Sequence, residues 1–337
     1  MSAPDALSRH QALHKRAQAA IPAFSDPRDI VQPMRTSLDH LPARKQRELD
    51  RLVQIIFEEF NDAHGQPTGQ RKMGRILKIV LYGSFARDNW VDEPTTGKGY
   101  QSDFDILIIV NQPELTDWFD YWEKAEERLN REREISGYLN TPVQLIVHTL
   151  QEVNDGLAHG RYFFLDIADD GIAIYQADDS ELARPHPKTP VAALTMAEEY
   201  YEESFPAAMR RFKGAKFHMS EGHVKEAAYD LHQTAEGLYQ CVLLVCTFYT
   251  PRAHNLNFLR NQAEKVSGLL VDTWPRETKR DRSRFEKLKD AYVKGRYSKH
   301  FSITMEELEW LAARIEELGQ AVHKVCEGKI ADLRSTL

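Results

Sequence analysis

Residues 82–110, YGSFARDNWVDEPTTGKGYQSDFDILIIV, place a Gly-Ser pair and an Asp-x-Asp pair beside two apolar runs. The first run, ILKIVLY, covers residues 76–82, and the second, FDILIIV, covers residues 104–110. Both runs are short and rich in β-branched residues, which predicts two buried strands. An eighteen-residue polar insertion, residues 85–102, separates the Gly-Ser pair from the Asp-x-Asp pair. A packed core does not require that arrangement, so both pairs are candidate functional residues.

The carboxylates of Asp103 and Asp105 are predicted to lie on one face of the second strand, because alternate strand residues point to opposite faces. Two carboxylates this close repel each other unless a cation lies between them. Mg²⁺ prefers oxygen ligands and commonly takes one or two protein carboxylates together with phosphate oxygens. The pair is therefore a candidate site for Mg²⁺, or Mn²⁺, bound to a nucleotide.

Gly83 and Ser84 are candidate phosphate-binding residues at the end of the first strand. A glycine lets the backbone approach a phosphate closely, and amides that open the next turn can donate hydrogen bonds to it. Arg87 could neutralise further phosphate charge. Each motif alone also suits an ordinary turn or strand end, and it is their order that points to a metal-bound triphosphate. No P-loop and no G-x-G-x-x-G motif occurs, which excludes those two nucleotide-binding classes.

The remaining patterns divide the chain into a lead-in and two domains. The first forty residues contain four prolines, so residues 1–42 are expected to be irregular. Residues 43–185 mix helical and strand patterns, which predicts an α+β domain with a small mixed sheet. A proline-rich linker follows, and residues 190–330 carry only helical patterns, which predicts an all-α up-and-down bundle. Further strands are expected at residues 142–148 and 171–175, and helices at residues 43–65, 117–137, 191–219, 224–249, 254–269, 281–297 and from 304 onward.

Composition bounds the class of protein. The chain has 337 residues, of which 42% are apolar, and no apolar stretch approaches the roughly 20 residues that span a bilayer. Its three cysteines have no metal-type spacing, and the charged N-terminus predicts no secretory leader. A cytoplasmic protein without a membrane partner is expected. Residues 276–299 carry ten basic and four acidic residues, which could bind RNA or could form an ion-paired helix face.

Two segments, LYGSFARDNW and SDFDILIIV, resemble the minimal nucleotidyltransferase family of the polymerase-β-like superfamily, to which kanamycin nucleotidyltransferase is related. The segments AAYDLHQTAEGLYQCVLLVCTFYTPRAHNLNFL and AYVKGRYSKHFSITMEELEWL resemble a HEPN domain. The resemblance implies transfer of NMP from a Mg²⁺-bound NTP, with ATP as the expected donor, to an acceptor hydroxyl. It implies that Asp103 and Asp105 are catalytic metal ligands and that Gly83 and Ser84 hold phosphate. It also implies that the helical domain helps close the nucleotide site, often within a homodimer.

One departure from the family pattern concerns the third carboxylate. Gln144 stands at the expected position, and a glutamine can ligate a metal but cannot serve as a general base. A non-catalytic nucleotide-binding regulatory module is therefore an alternative to the enzyme. Substitute carboxylates that the sequence leaves open are Glu152, Asp166, Glu198, Glu202 and Glu236.

A third alternative is a HEPN ribonuclease toxin fused to its nucleotidyltransferase antitoxin. Arg296 and His300 have only three residues between them, fewer than in HEPN ribonucleases. Lys294 and Arg296 are therefore interpreted as phosphate contacts of the nucleotide. His232 and Glu236, one helical turn apart, are interpreted as hydrogen-bonding residues of the bundle core. The acceptor stays open among RNA, a protein hydroxyl and a small molecule.

Overall fold

A computed structural model describes residues 34–65, 74–91, 101–177, 180–251, 255–292, 294 and 301–337. Within these ranges a four-stranded mixed sheet with helices is followed by a region of long helices. The predicted α+β domain and helical bundle are thus confirmed. Most of the lead-in and half of the polar insertion, residues 92–100, lie outside the described residues, and the domain boundaries stay predictions.

The sheet has the strand order β3-β2-β1-β4. Strand β1 is antiparallel to both β2 and β4, whereas β2 and β3 are parallel. The first two strands were predicted with their observed bounds, and the other two lie one residue later than predicted. The strands are β1 Ile76–Tyr82, β2 Phe104–Val110, β3 Val143–Thr149 and β4 Ile172–Gln176.

Both faces of the two central strands are buried, which explains their continuous apolar sequences. Helix α1, Ala43–His64, covers one face and packs Leu52 and Ile55 against Ile106. The opposite face packs against two short helices, α4 at Leu150–Ala158 and α5 at Tyr162–Asp170. A strand carboxylate on this second face of the sheet therefore lies in the interior of the molecule.

The prediction of one continuous helix over residues 117–137 is wrong. The segment forms α2, Trp118–Tyr121, and α3, Glu123–Arg131, followed by a π-helical stretch at Glu132–Ser136. Trp122 separates the two helices with a φ of −119°. Its fully buried indole Nε1 donates a hydrogen bond to the Leu115 carbonyl at 2.7 Å. Burial of this large ring is accompanied by a departure of the Trp122 backbone from regular helical geometry.

The described residues of the helical half form five helices of the bundle, close to their predicted positions. Its core is formed by apolar side chains such as Leu238, Leu311 and Ile315, all fully buried. The capping box predicted at Thr304 is present, because Thr304 Oγ1 accepts from the Glu307 amide at 3.2 Å. The helices are α6 Pro190–Ser220, α7 Val224–Thr247, α8 Leu256–Val266, α9 Lys279–Asp290 and α10 Met305–Ser335. No helix within the described ranges is long and apolar enough to cross a membrane.

Tyr249 joins the two halves. Phe248 ends α7 in the left-handed region, with φ 56°, and turns the chain toward the sheet. The Tyr249 ring then stacks on Phe163, with centroids 4.1 Å apart, and its hydroxyl lies 2.7 Å from His148 Nε2. The other ring nitrogen of His148 lies 3.0 Å from Glu152 Oε2. A buried polar contact thus fixes how the bundle meets the sheet.

Replacing Tyr249 with Phe is expected to lower the free energy of unfolding by about 1–3 kcal/mol, because a buried nitrogen of His148 loses its partner. Urea denaturation of the wild type and the variant measures the loss. Tyr138→Phe removes the same hydroxyl from a ring that is 73% exposed and serves as the control. Equal losses in the two variants would contradict the assignment.

Candidate functional site

Four of the predicted site residues, Gly83, Ser84, Asp103 and Asp105, lie at one edge of the sheet. Asp105 pairs in register with Tyr82 on β1 and with Gln144 on β3. Because β2 is antiparallel to β1 and parallel to β3, the end of β1 and the starts of β2 and β3 share this edge. The turn at Gly83 and the carboxylate of Asp105 are therefore neighbours, although the polar insertion separates them in sequence.

Asp105 is fully buried, and its two oxygens have different surroundings. Oδ1 forms an ion pair with Lys265 and lies 3.5 Å from Gln262 Nε2. Oδ2 accepts no hydrogen bond within the part of the chain that the structure describes. Gly83, with φ 75°, lies against this oxygen, and a side-chain methyl group there would overlap with it. The glycine is thus required both by the backbone conformation and by the space that Asp105 occupies.

Asp103 is half-buried beside Asp105. Its Oδ2 accepts a hydrogen bond from Asn261 Nδ2 at 3.4 Å, and Gln144 also hydrogen-bonds to the carboxylate. Burial raises the pKa of Asp103 to about 6, against the lowering effect of Lys265, and the charge of Asp105 raises it further. The two carboxylates are therefore close enough for the charge of Asp105 to affect the pKa of Asp103.

The helical half supplies three polar residues to the carboxylates, and the sequence reasoning missed all three. Asn261, Gln262 and Lys265 lie within little more than one turn of α8. Phe258 anchors this helix in the apolar cluster on the second face of the sheet. In sequence the three residues look like an ordinary polar helix face. Only the packing of α8 against the sheet edge shows which groups they contact.

A cavity of about 570 Å³ lies between the two halves beside Asp105. Its volume is in the range of small-ligand sites. Lys324 is exposed and forms no ion pair with a described residue, and Lys329 Nζ lies 4.9 Å from the centroid of the Tyr162 ring. The charged side chains on the wall of the cavity are Arg87, Asp105, Asp166, Lys265, Lys324, Lys329 and Asp332.

The other predicted phosphate contacts have different surroundings. Arg87 lines the cavity, with Nη1 3.6 Å from Asp170 Oδ2. Ser84 is half-buried in the turn, and its amide donates no hydrogen bond to a described residue. Lys294 is exposed, pairs with Asp290 at 2.9 Å and is not part of the cavity wall, so the structure does not bring it to the site. Arg296 lies outside the described residues.

One of the five substitute carboxylates, Asp166, lines the cavity. Burial raises its pKa, against the lowering effect of Arg87. The others are engaged or remote: Glu152 caps α4, Glu198 pairs with Arg334, Glu236 hydrogen-bonds to Gln233 and Gln240, and Glu202 is exposed on α6.

His232 has the structural role that its sequence position predicted. It is buried in the bundle, with Nδ1 2.9 Å from the Leu288 carbonyl and Nε2 3.6 Å from Glu236. His300 of the shortened ribonuclease-type pair lies outside the described residues, as does Arg296.

The basic stretch at residues 276–299 is largely paired where it is described. Arg280 and Arg284 contact Glu306, and Lys287 contacts Glu307 at 2.7 Å. This pattern supports the ion-paired helix face over an RNA-binding surface.

The Asp103 and Asp105 pair fits a divalent cation that also binds phosphate. No group of three or more His, Cys, Asp or Glu side chains that could hold a metal occurs among the described residues. A protein site of two carboxylates is nevertheless sufficient for Mg²⁺ when phosphate oxygens and water complete its shell. The buried Asp105 oxygen without a hydrogen-bond donor is the feature that such a cation would satisfy.

Comparison with known proteins identifies the helical half. Residues 201–325 match the HEPN domain family, which confirms the predicted HEPN domain. A solved structure of a nucleotidyltransferase-like protein from Exiguobacterium sibiricum is 15% identical and matches with a TM-score of 0.22. That match covers 82% of this chain and 74% of the other chain, and a TM-score this low carries no weight for function. No curated protein matches the chain.

Gly83→Ala is expected to destabilise the protein more than Gly222→Ala. Both glycines have a positive φ, 75° and 74°, so both variants lose about 1–2 kcal/mol from the left-handed backbone. A methyl group at Gly222 meets no atom within 4 Å, whereas at Gly83 it displaces the buried Asp105 carboxylate. Urea denaturation compares the two variants, and equal losses would show that Gly83 makes no room for Asp105.

Asp103→Asn is expected to become stabilising as the pH rises. The pKa of Asp103 rises from 3.8 to about 6 on folding, so the folded state holds more protons between these values and loses stability as the pH rises through them. The variant should melt with the wild type near about pH 4 and a few degrees above it near about pH 7. Thermal unfolding in a metal chelator measures this. Asp272→Asn, at an exposed position, is the control, and a pH-independent difference would contradict the assignment.

Proposed function

We propose that this protein is a Mg²⁺-dependent nucleotidyltransferase that transfers NMP from an NTP, with ATP as the expected donor, to an acceptor hydroxyl. One observation carries the proposal: a buried Asp105 oxygen without a hydrogen-bond donor lies at the Gly83 turn, beside Asp103 and on the wall of a ligand-sized cavity. A carboxylate of a purely structural strand end would be expected to have its oxygens satisfied.

The first half of the chain would hold the donor. Asp103 and Asp105 would bind the cation, and Gly83 would allow the phosphates to approach the backbone. The amides of Ser84 and Phe85 donate no hydrogen bond to a described residue and would be the donors to phosphate oxygens. When bound, Mg²⁺ would neutralise phosphate charge and polarise the α-phosphate.

The helical half would supply much of the positive charge that a triphosphate requires. Lys324 and Lys329 face the cavity from α10, and Arg87 faces it from the turn after β1. Lys329 and Gly328 follow the end of the HEPN match at residue 325. In this proposal Lys324 and Lys329 take the phosphate role first given to Lys294. The predicted phosphate contact of Arg296, which lies outside the described residues, stays a prediction.

Asp166 is the candidate for accepting the proton of the acceptor hydroxyl. Gln144 lies beside Asp105 on the neighbouring strand and cannot take a proton at neutral pH. Asp166 is on the cavity wall, and burial raises its pKa toward the range that suits a general base. The nature of the acceptor, the homodimer and the cytoplasmic location stay predictions from the sequence.

The second candidate function is a regulatory module that binds Mg-NTP without turnover. Gln144 favours it, because this residue is in register with Asp105 and removes one negative charge from the site. A ribonuclease function has less support, because the basic residues that would bind RNA are mostly paired with glutamates.

Nucleotidyl transfer is tested with α-labelled NTPs, Mg²⁺ and a panel of hydroxyl acceptors. The readouts are label transferred to the acceptor and, separately, released pyrophosphate. Asp105→Asn is expected to reduce transfer by about 100-fold or more, because a metal ligand that acts in the transition state is lost. Asp166→Asn should lower turnover while leaving Mg-NTP binding close to that of the wild type. Asp272→Asn is the control carboxylate, because Asp272 is exposed and does not line the cavity.

Calorimetric titration with Mg-ATP separates the two candidate functions. Tight binding with pyrophosphate release supports the transferase, whereas tight binding without any product supports the regulatory module. Failure of the wild type to bind any Mg-NTP would overturn both. Circular dichroism of Asp105→Asn checks that a loss of binding does not come from unfolding.

A further inference from the structure

The Lys265 side chain, from helix α8 of the HEPN-containing half, forms an ion pair with Asp105 Oδ1. We propose that Lys265 is an internal counter-ion of the metal site, which neutralises Asp105 in the metal-free protein and must leave before a divalent cation can bind both carboxylates. This inference rests on the metal-binding part of the proposed function. It adds a residue of the helical half that controls access to the metal site.

The charge balance at Asp105 explains why a counter-ion is required. The side chain of Asp105 is fully buried, and a buried carboxylate without an opposite charge carries a large desolvation penalty. Gln262 and Asn261 contribute neutral amide groups to the two aspartates. Among the described residues, Lys265 is the cation that makes an ion pair with Asp105. Its ammonium group therefore does in the metal-free protein what a bound cation would do.

Simultaneous binding of Mg²⁺ and the Lys265 ammonium group to Asp105 would carry a large free-energy cost. A Mg²⁺ ion lies about 2.0–2.1 Å from its oxygen ligands, so an ammonium group bonded to the same carboxylate would be held close to a double positive charge. The positive charges of the metal and of the ammonium group would repel each other strongly in a buried site. Binding of the metal and retention of the ion pair are thus expected to exclude each other.

The side chain of Lys265 is able to leave. Lysine carries its charge on a flexible four-carbon stem, and this side chain is 29% exposed, whereas Asp105 is not exposed at all. Lys265 also lines the cavity, so its ammonium group can withdraw into the space assigned to the phosphates. Metal binding would then release a contact that links α8 to the sheet.

The alternative is that Lys265 is a permanent part of the site that helps to attract the nucleotide. The two roles predict opposite effects on binding of the metal alone. A competing cation weakens metal binding, so its removal strengthens it. A permanent structural cation orders the carboxylates, so its removal leaves metal binding unchanged or weaker.

Mn²⁺ binding to the full-length protein, followed by the loss of the free-ion signal in electron paramagnetic resonance, distinguishes these roles without nucleotide. Lys265→Met keeps the length of the side chain and removes its charge. We expect this variant to bind Mn²⁺ at least about tenfold more tightly than the wild type, a change of about 1.4 kcal/mol. Lys265→Arg, which keeps the charge, should bind Mn²⁺ much as the wild type does.

The matched control is Lys287→Met. The Lys287 side chain is 32% exposed and pairs with Glu307 of another helix, so its exposure and pairing resemble those of Lys265. This variant should leave Mn²⁺ affinity unchanged. Asp105→Asn should abolish the binding that Lys265→Met strengthens, which assigns the signal to this site.

Thermal unfolding gives a second readout that does not depend on the titration. Metal-free Lys265→Met should melt below the wild type, because Asp105 loses its counter-ion, and saturating Mn²⁺ should raise its melting temperature more than that of the wild type. Unchanged or weaker Mn²⁺ binding in Lys265→Met, or an equal Mn²⁺ shift in both proteins, would overturn the inference.

The failure of this inference can be told apart from the failure of the proposed function. Pyrophosphate release by the wild type, together with unchanged Mn²⁺ affinity in Lys265→Met, leaves the transferase standing and removes the counter-ion role. A tenfold gain in Mn²⁺ affinity without any pyrophosphate release leaves the counter-ion role standing and removes the transferase.

Discussion

Asp105 places a carboxylate in the interior of the molecule, which costs desolvation free energy. Much of the surrounding structure offsets that cost. The strand β2 carries it onto the face of the sheet that meets the helical half, where it has no access to solvent. Lys265 and Gln262 approach one of its oxygens, and the space over the other oxygen is kept open by Gly83. In the proposed function, a divalent cation would bind the oxygen that has no hydrogen-bond donor.

The same carboxylate brings the two halves of the chain into contact. The bundle has an apolar core of its own, yet polar residues of α8 contact the carboxylates, and the Tyr249 hydroxyl contacts His148. The cavity consequently has walls from both halves, with the cations of α8 and α10 facing the turn after β1. In the proposed enzyme the helical half would thus be part of the nucleotide site, and its position would depend on what occupies that site.

Local patterns were sufficient wherever a residue's role depends on its neighbours in sequence. The strands β1 and β2 could be placed to the residue because their apolar runs end in glycine and asparagine, and the capping box at Thr304 was visible from its spacing. Trp122 shows the limit of such patterns: its helical surroundings predicted a continuous helix, but the hydrogen bond of its indole to Leu115 divides that helix. Tertiary packing outweighed local propensity there.

The sequence by itself determined the order of the elements and placed Gly83, Ser84, Asp103 and Asp105 at strand ends, because strand periodicity and turn chemistry are local properties. The HEPN-like nature of the second half came from its resemblance to known proteins. Only the tertiary structure decided that Lys265 reaches Asp105, that Lys324 and Lys329 face the cavity and that Lys294 does not. These residues lie 160 or more positions from Asp105 along the chain, and a lysine on a helix looks the same in sequence whether it faces water or a carboxylate. Its role is set by the surface against which the helix packs, and that surface comes from the other half of the molecule.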